Sequence, residues 1–202
     1  MEIKLATDIN DNIQEKISEL FVEAFGKDLK IISKDKSKII KAFSHMFVLD
    51  YFYVGIVGIV DNEIAGMMVC VDKTICRDCI KQNKKILIKE LGFIKGLLAN
   101  IIIDKYINKN PKYPIDVEGK TGSIELVATN KKYRKKGIAT KIMEYIFSLN
   151  MYEKYILEVA DTNESAYNLY MKLGYKEVYK IKQVLAKRYG INYLAYMVRE
   201  KN

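Results

Sequence analysis

Apolar residues at Ile13, Ile17, Leu20, Phe21 and Ala24 recur every three or four positions, which predicts a helix that Gly26 ends. Ile3 to Leu5 precedes it as a short strand, and Ser37 to Phe47 reads as a second short helix. The pattern then changes. Tyr51 to Val60 is rich in aromatic and β-branched residues, Asp61-Asn62-Glu63 supplies a turn, and Ile64 to Val71 resumes the apolar run. This is the signature of a hairpin of two central strands.

From about Lys73 to Lys120 lysines interleave with Ile86, Leu87, Leu91, Ile94, Leu97, Leu98, Ile101 and Ile102 at helical spacing, and Asn108 to Pro114 closes the stretch. The segment reads as an amphipathic helical insertion followed by a loop. Globular helices of this kind bury the apolar side on the common core, and that is the expectation here. The functional alternative is a lid, or a surface that touches membrane or a partner.

Beyond the loop, strands and helices alternate: a strand over Gly122 to Thr129, a helix over Gly137 to Leu149 and a strand over Tyr155 to Ala160. A helix over Asn163 to Leu173 and strands over Tyr175 to Val184 and Ile191 to Arg199 complete the chain. Alternation behind an antiparallel hairpin predicts a mixed α/β sheet with helices on its faces. With 202 residues, half of them apolar, a single domain with one full core is the simplest organisation.

Charge and cysteines narrow the class only partly. The formal net charge of +9 would draw a polyanion, whether nucleic acid, membrane or a phosphorylated cofactor, but the lysines are scattered and no nucleic-acid motif accompanies them. Nucleic acid is therefore not the expected partner. The charged start Met1-Glu2-Ile3-Lys4-Leu5 lacks a signal-peptide core, and the run from Gly96 to Ile103 is too short to span a bilayer. Three cysteines, Cys70, Cys76 and Cys79, suit reduced thiols and a cytoplasmic protein. Cys76-Arg77-Asp78-Cys79 lacks further zinc ligands, His45 being the chain's only histidine, so no metal is expected.

Candidate chemistry begins where the strand ending Val127-Ala128-Thr129 runs through Asn130-Lys131-Lys132-Tyr133 into Arg134-Lys135-Lys136-Gly137-Ile138-Ala139-Thr140. A helix whose first turn is Gly137, Ile138 and Ala139 presents unpaired N–H groups and the positive end of its dipole to an anion. Small residues at Gly137 and Ala139 let a diphosphate approach the backbone, and the surrounding basic residues add attraction. This stretch resembles the acyl-CoA signature of the GNAT superfamily of N-acetyltransferases, whose Arg-x-x-Gly-x-Gly/Ala places fall on Arg134, Gly137 and Ala139. The segment Leu157 to Tyr175, with Asn163, Ala166, Leu169-Tyr170 and Gly174, resembles the next block of the same family.

The resemblance covers about Gly122 to Lys180 and implies a mixed, mostly antiparallel central sheet, helices on both faces, and fourth and fifth strands splayed apart. It implies acetyl-CoA as co-substrate, held by Arg134 to Thr140, by the backbone of Val127 to Thr129, and by Asn163 and Tyr170. It further implies transfer of the acetyl group to the primary amine of a small molecule or protein. Tyr170 stands where the family carries a tyrosine beside the coenzyme sulfur, as general acid or hydrogen-bond donor. Glu125, on the face opposite Ile124 and Leu126 and together with Val127 and Thr129, is the first candidate for the base. His45, in an apolar stretch, reads as a packed or surface histidine. Competing readings are a coenzyme-binding module without turnover and a basic protein of nucleic-acid or membrane surfaces. The acceptor is not set by any motif, and neither is the oligomeric state, a homodimer included.

Overall fold

A computed structural model describes residues 1–9, 13–29, 33–47, 55–71, 77–106, 120–183 and 190–201. In chain order the elements are β1 (Glu2–Leu5), α1 (Ile13–Leu29), α2 (Lys36–Phe47), β2 (Gly55–Val60), β3 (Glu63–Val71), α3 (Arg77–Leu91) and α4 (Phe93–Tyr106). There follow β4 (Thr121–Thr129), α5 (Ile138–Ser148), β5 (Lys154–Ala160), α6 (Glu164–Lys172), β6 (Lys176–Lys182) and β7 (Tyr193–Glu200). The strands form one sheet in the order β1-β2-β3-β4-β5-β7-β6. Every pairing is antiparallel except that of β4 with β5.

Alternation along the strands gives the sheet two apolar faces, and each is covered. On one, Ile17, Leu20 and Phe21 of α1, Ile39 and Phe43 of α2, and Leu87 of α3 pack with Val57, Met67 and Ala128. On the other, Ile138, Ile142, Met143 and Ile146 of α5 and Tyr170 of α6 pack with Met68, Cys70, Ile124, Leu157 and Met197.

Three local expectations are corrected. First, α1 runs past Gly26 to Leu29, because burial of Leu29 outweighs the ~1 kcal/mol by which a glycine weakens a helix interior. Second, the β2–β3 turn has two residues, Asp61 and Asn62, both at positive φ (49° and 62°), and Glu63 already belongs to β3. Asparagine and aspartate tolerate the left-handed region that such a tight turn demands. Of the hairpin's predicted first strand, residues 51–54 lie outside the described residues, as does Cys76 of the Cys76–Cys79 motif.

The third correction concerns the insertion. Helices α3 and α4 form an antiparallel hairpin about Gly92: the Asn100 side-chain amide donates to the Lys84 carbonyl at 3.2 Å, and a Cβ at Gly96 would stand 2.4 Å from the Cα of Ile88. Only glycine permits that approach. Leu87 and Leu91 of α3 reach the core as expected. Yet α4 docks through Gly96, Ala99 and Asn100, so Ile94, Leu97, Leu98 and Ile101 face outward rather than into the core.

Candidate active site

The site grows from an interruption in the sheet. Thr121, Gly122 and Ser123 pair with Lys154, Tyr155 and Ile156, and there the β4–β5 pairing stops. Beyond it β4 stays attached to β3 and β5 to β7, so the two diverge. The edge of β4 that faces β5 past Ser123 has no strand partner, and its backbone groups can serve an extended ligand. A bulge shapes this edge: Met67 pairs with Ala128 but Val69 with Glu125, and Leu126 sits at φ 50°.

The bulge also resets the alternation. Ile124 and Val127 pack toward α5 and α6, whereas Leu126 and Ala128 pack toward α1 and α2. Glu125, opposite in face to Ile124, therefore shares the side of Leu126 rather than that of Val127, correcting the reading from simple alternation. Ser123 pairs with Ile156, so Glu125 and Glu158 lie two residues beyond the last rung, level across the mouth of the split and on one face.

Of that pair Glu125 is half-buried and Glu158 is the more exposed. Burial raises the pKa of Glu125, a hydrogen bond from the Ser123 hydroxyl at 3.1 Å opposes the shift, and the charge of Glu158 adds to it. Glu158 keeps part of its surface in solvent, but the protein around it still displaces enough water to raise its pKa against a hydrogen bond with Tyr196, its partner on β7. Sequence reasoning missed Glu158 and Tyr196. A lone charge between Leu157 and Val159 in a buried strand was the available signal.

On the opposite face, the basic turn is bolted to the β2–β3 hairpin. Tyr133 is buried, and its hydroxyl bonds to the Glu63 carboxylate at 2.8 Å, while Lys132 reaches the same carboxylate at 2.8 Å. The Asn130 side chain accepts from the Lys132 N–H at 3.0 Å, and the Arg134 guanidinium donates to the Thr129 carbonyl at 3.2 Å. Lys131 and Lys132 are thus matched by Glu23 and Glu63, leaving Lys135 and Lys136 exposed without a carboxylate partner among the described residues.

Gly137 precedes α5 as its N-cap rather than forming its first turn, at φ 74°, and apart from its own chain neighbours no atom lies within 4 Å of the place a Cβ would take. The first N–H groups of α5, from Ile138, Ala139 and Thr140, open onto that space, and the Ile138 side chain points away into the core. An open cradle at a helix N-terminus, flanked by Lys135 and by Lys136, whose ammonium stands 5.3 Å from the centre of the Tyr133 ring, fits a diphosphate.

Tyr170 and Asn163 are placed differently. The Asn163 side chain caps α6 by accepting from the Ala166 N–H at 3.3 Å, and it is exposed. Tyr170 is buried in the α5–α6 cluster, burial lifts its pKa to about 12, and no described residue bonds its hydroxyl. Its backbone carbonyl accepts from Leu173 and Tyr175, and Arg199 donates to the Leu173 carbonyl at 2.9 Å, which fixes the end of α6. His45 lies apart on the surface, 3.3 Å from Glu90. Among the described residues no group of histidine, cysteine, aspartate and glutamate side chains could hold a metal ion.

No curated protein sequence is a significant match to the chain. Solved structures are similar to it over nearly their whole length. An N-acetyltransferase from Staphylococcus aureus Mu50 is 19% identical with a TM-score of 0.61, covering 98% of this chain and 100% of its own. The ribosomal-protein-S18-alanine N-acetyltransferase from Escherichia coli is 10% identical with a TM-score of 0.56, covering 100% of this chain and 94% of its own. An aminoglycoside 6'-acetyltransferase type Ii is 13% identical with a TM-score of 0.58, covering 100% of this chain and 98% of its own. At such identities the likeness speaks for the fold. The family model described as "Acetyltransferase (GNAT) family" matches residues 15–175, and the chain, with its split sheet and basic helix start, belongs to that family of acetyltransferases.

Proposed function

We propose that the protein is an acetyl-CoA-dependent N-acetyltransferase that acetylates a primary amine. The observation that carries this reading is the β4–β5 split, which has the open cradle of Gly137 at one end and the Glu125–Glu158 pair on the opposite face. The diphosphate binds the N–H groups of Ile138, Ala139 and Thr140, with Lys135 and Lys136 attracting it and Arg134 holding the loop closed on Thr129. The pantetheine arm extends along the unpaired edge of Val127, Ala128 and Thr129, and Asn163 lines the far side at the start of α6.

The amine reaches the thioester from the side of Glu125. Its lone pair attacks the carbonyl carbon, its surplus proton passes to the Glu125 carboxylate directly or through water, and the carbon–sulfur bond breaks to release a thiolate. Burial, with a smaller contribution from the charge of Glu158, keeps the pKa of Glu125 above that of an ordinary carboxylate, which makes Glu125 the stronger base. Tyr170 serves the thiolate. A hydroxyl with a pKa near 12 is a far weaker acid than a thiol of about 8.5, so its role is to donate a hydrogen bond to the leaving sulfur rather than to surrender its proton.

The acceptor does not follow from the fold, because structures named for a ribosomal-protein alanine and for an aminoglycoside resemble this chain about equally well. The test is release of free thiol from acetyl-CoA across a panel of amines, with mass detection of the acetylated product. Product with at least one amine supports the reading. Tight acetyl-CoA binding without turnover on any amine would make the protein a coenzyme-binding module.

A further inference from the structure

The α3–α4 hairpin is built inside out. Phe93, Ile94, Leu97, Leu98 and Ile101 are 71, 74, 48, 53 and 56% exposed, although they are the largest apolar side chains described on α4. At 100° per residue they fall within an arc of about 140°, and Gly96, Ala99 and Asn100 occupy the opposite arc against α3. Together they present an apolar patch on the order of 500 Å2, in the upper part of the range of the largest patch on a typical monomer, where such patches are often functional.

Charge identifies the occupant. Among the described side chains of the hairpin, Lys85, Lys89 and Lys95 are exposed, and Lys95 borders the apolar arc directly. The one acid among them, Glu90, has a side chain only 7% exposed and is taken up by Lys41 and His45, each at 3.3 Å. The hairpin thus offers solvent apolar and positively charged groups together. A second copy seated on this face would bring like charge to like, between chains that each carry +9. No described helix is long and apolar enough to cross a membrane.

We propose that this hairpin docks the protein on the surface of an anionic lipid bilayer. The α4 helix lies in the interface with Phe93, Ile94, Leu97, Leu98 and Ile101 at the headgroup–acyl boundary, and the lysines meet lipid phosphates. Apolar burial supplies the hold, and the lysines supply preference for anionic lipid.

The test is co-sedimentation of the full chain with vesicles of phosphatidylcholine alone and of phosphatidylcholine with an equal part of phosphatidylglycerol. The mixed vesicles should bind at least about tenfold more tightly, and high salt should remove the difference. The double variant Ile94→Glu, Leu98→Glu should bind the mixed vesicles at least about tenfold more weakly at an unchanged melting temperature, since neither side chain is in the core. Lack of binding to the mixed vesicles, or binding that the double variant leaves intact, overturns the proposal. A dimer that the double variant abolishes in sedimentation velocity makes a second copy the occupant. A clear fall in melting temperature makes residues 107–119 of the chain itself the cover.

Discussion

Helices α4 and α5 start alike and end differently. Each follows a glycine in the left-handed region, Gly92 at φ 83° and Gly137 at φ 74°, and each is predominantly apolar. Behind α5 lies the sheet, and Ile138, Ile142, Met143 and Ile146 sink into it at 5% exposure or less. Behind α4 lies only α3, whose backbone comes so close that Gly96, Ala99 and Asn100 form the contact and the large side chains turn outward. Hydrophobicity alone therefore says that a helix needs a cover, not what the cover is. In α5 the free part is its N-terminal turn, suited to an anion; in α4 it is a whole face.

The sharpest test of this contrast is stability. Ile142→Ala should cost about 2–5 kcal/mol in urea unfolding, as for other large-to-small changes in a packed core. Ile94→Ala should stay within about 0.5 kcal/mol of the parent. Equal losses at the two positions would mean that α4 is covered within the folded chain.

Next in size is Tyr170→Phe. Loss of a donor used only as the sulfur departs should lower kcat by about a hundredfold and leave acetyl-CoA affinity nearly unchanged. A tyrosine that only packs against Tyr175, its ring centroid 5.9 Å away, would leave turnover of the folded protein near normal. Steady-state kinetics with a verified acceptor, read beside calorimetric affinity, separates the two.

Smaller and directional effects belong to the carboxylate pair. Removing the negative charge in Glu158→Gln should move the acidic limb of the kcat/KM profile to lower pH, because that charge helps raise the pKa of Glu125. Stability carries the same sign. The folded pKa of Glu125 lies above its unfolded value, so between the two the native state retains a proton that the unfolded chain releases. Stability then falls as pH rises through that window. Glu125→Gln should accordingly gain on the parent in melting temperature at neutral pH, but not below the unfolded pKa. A profile and melting curves that ignore both substitutions would remove the pair from the site. Smallest of all, Lys135→Gln or Lys136→Gln should weaken acetyl-CoA binding about two- to threefold at low salt and hardly at all at high salt, as isothermal titration would show.

Much of the sheet and the family were legible in the sequence because period and punctuation coincide there. Gly122 to Thr129, Tyr155 to Ala160 and the helix from Asn163 to Leu173 were predicted within a residue or two of β4, β5 and α6. The side of Glu125 was not, since a bulge at Leu126 leaves no mark in a simple alternation. Glu158 and Tyr196 escaped because the proximity of Glu158 to Glu125 depends on where β5 stops pairing with β4, and that of Tyr196 to Glu158 on the late strand β7. The orientation of α4 escaped for a different reason: a helix apolar on nearly every side has no preferred face, so the small residues chose it.

The central claim, that the turn at the start of α5 holds acetyl-CoA, is tested most directly by titrating acetyl-CoA into the parent and into Gly137→Val. Nothing in the protein occupies the space of a Cβ at Gly137, so valine there meets the ligand first and also strains a backbone at φ 74°. The account predicts at least a tenfold loss of affinity, about 1.4 kcal/mol or more, in a variant whose melting curve shows it folded. Equal affinity of folded Gly137→Val and parent for acetyl-CoA would contradict it and place the coenzyme elsewhere.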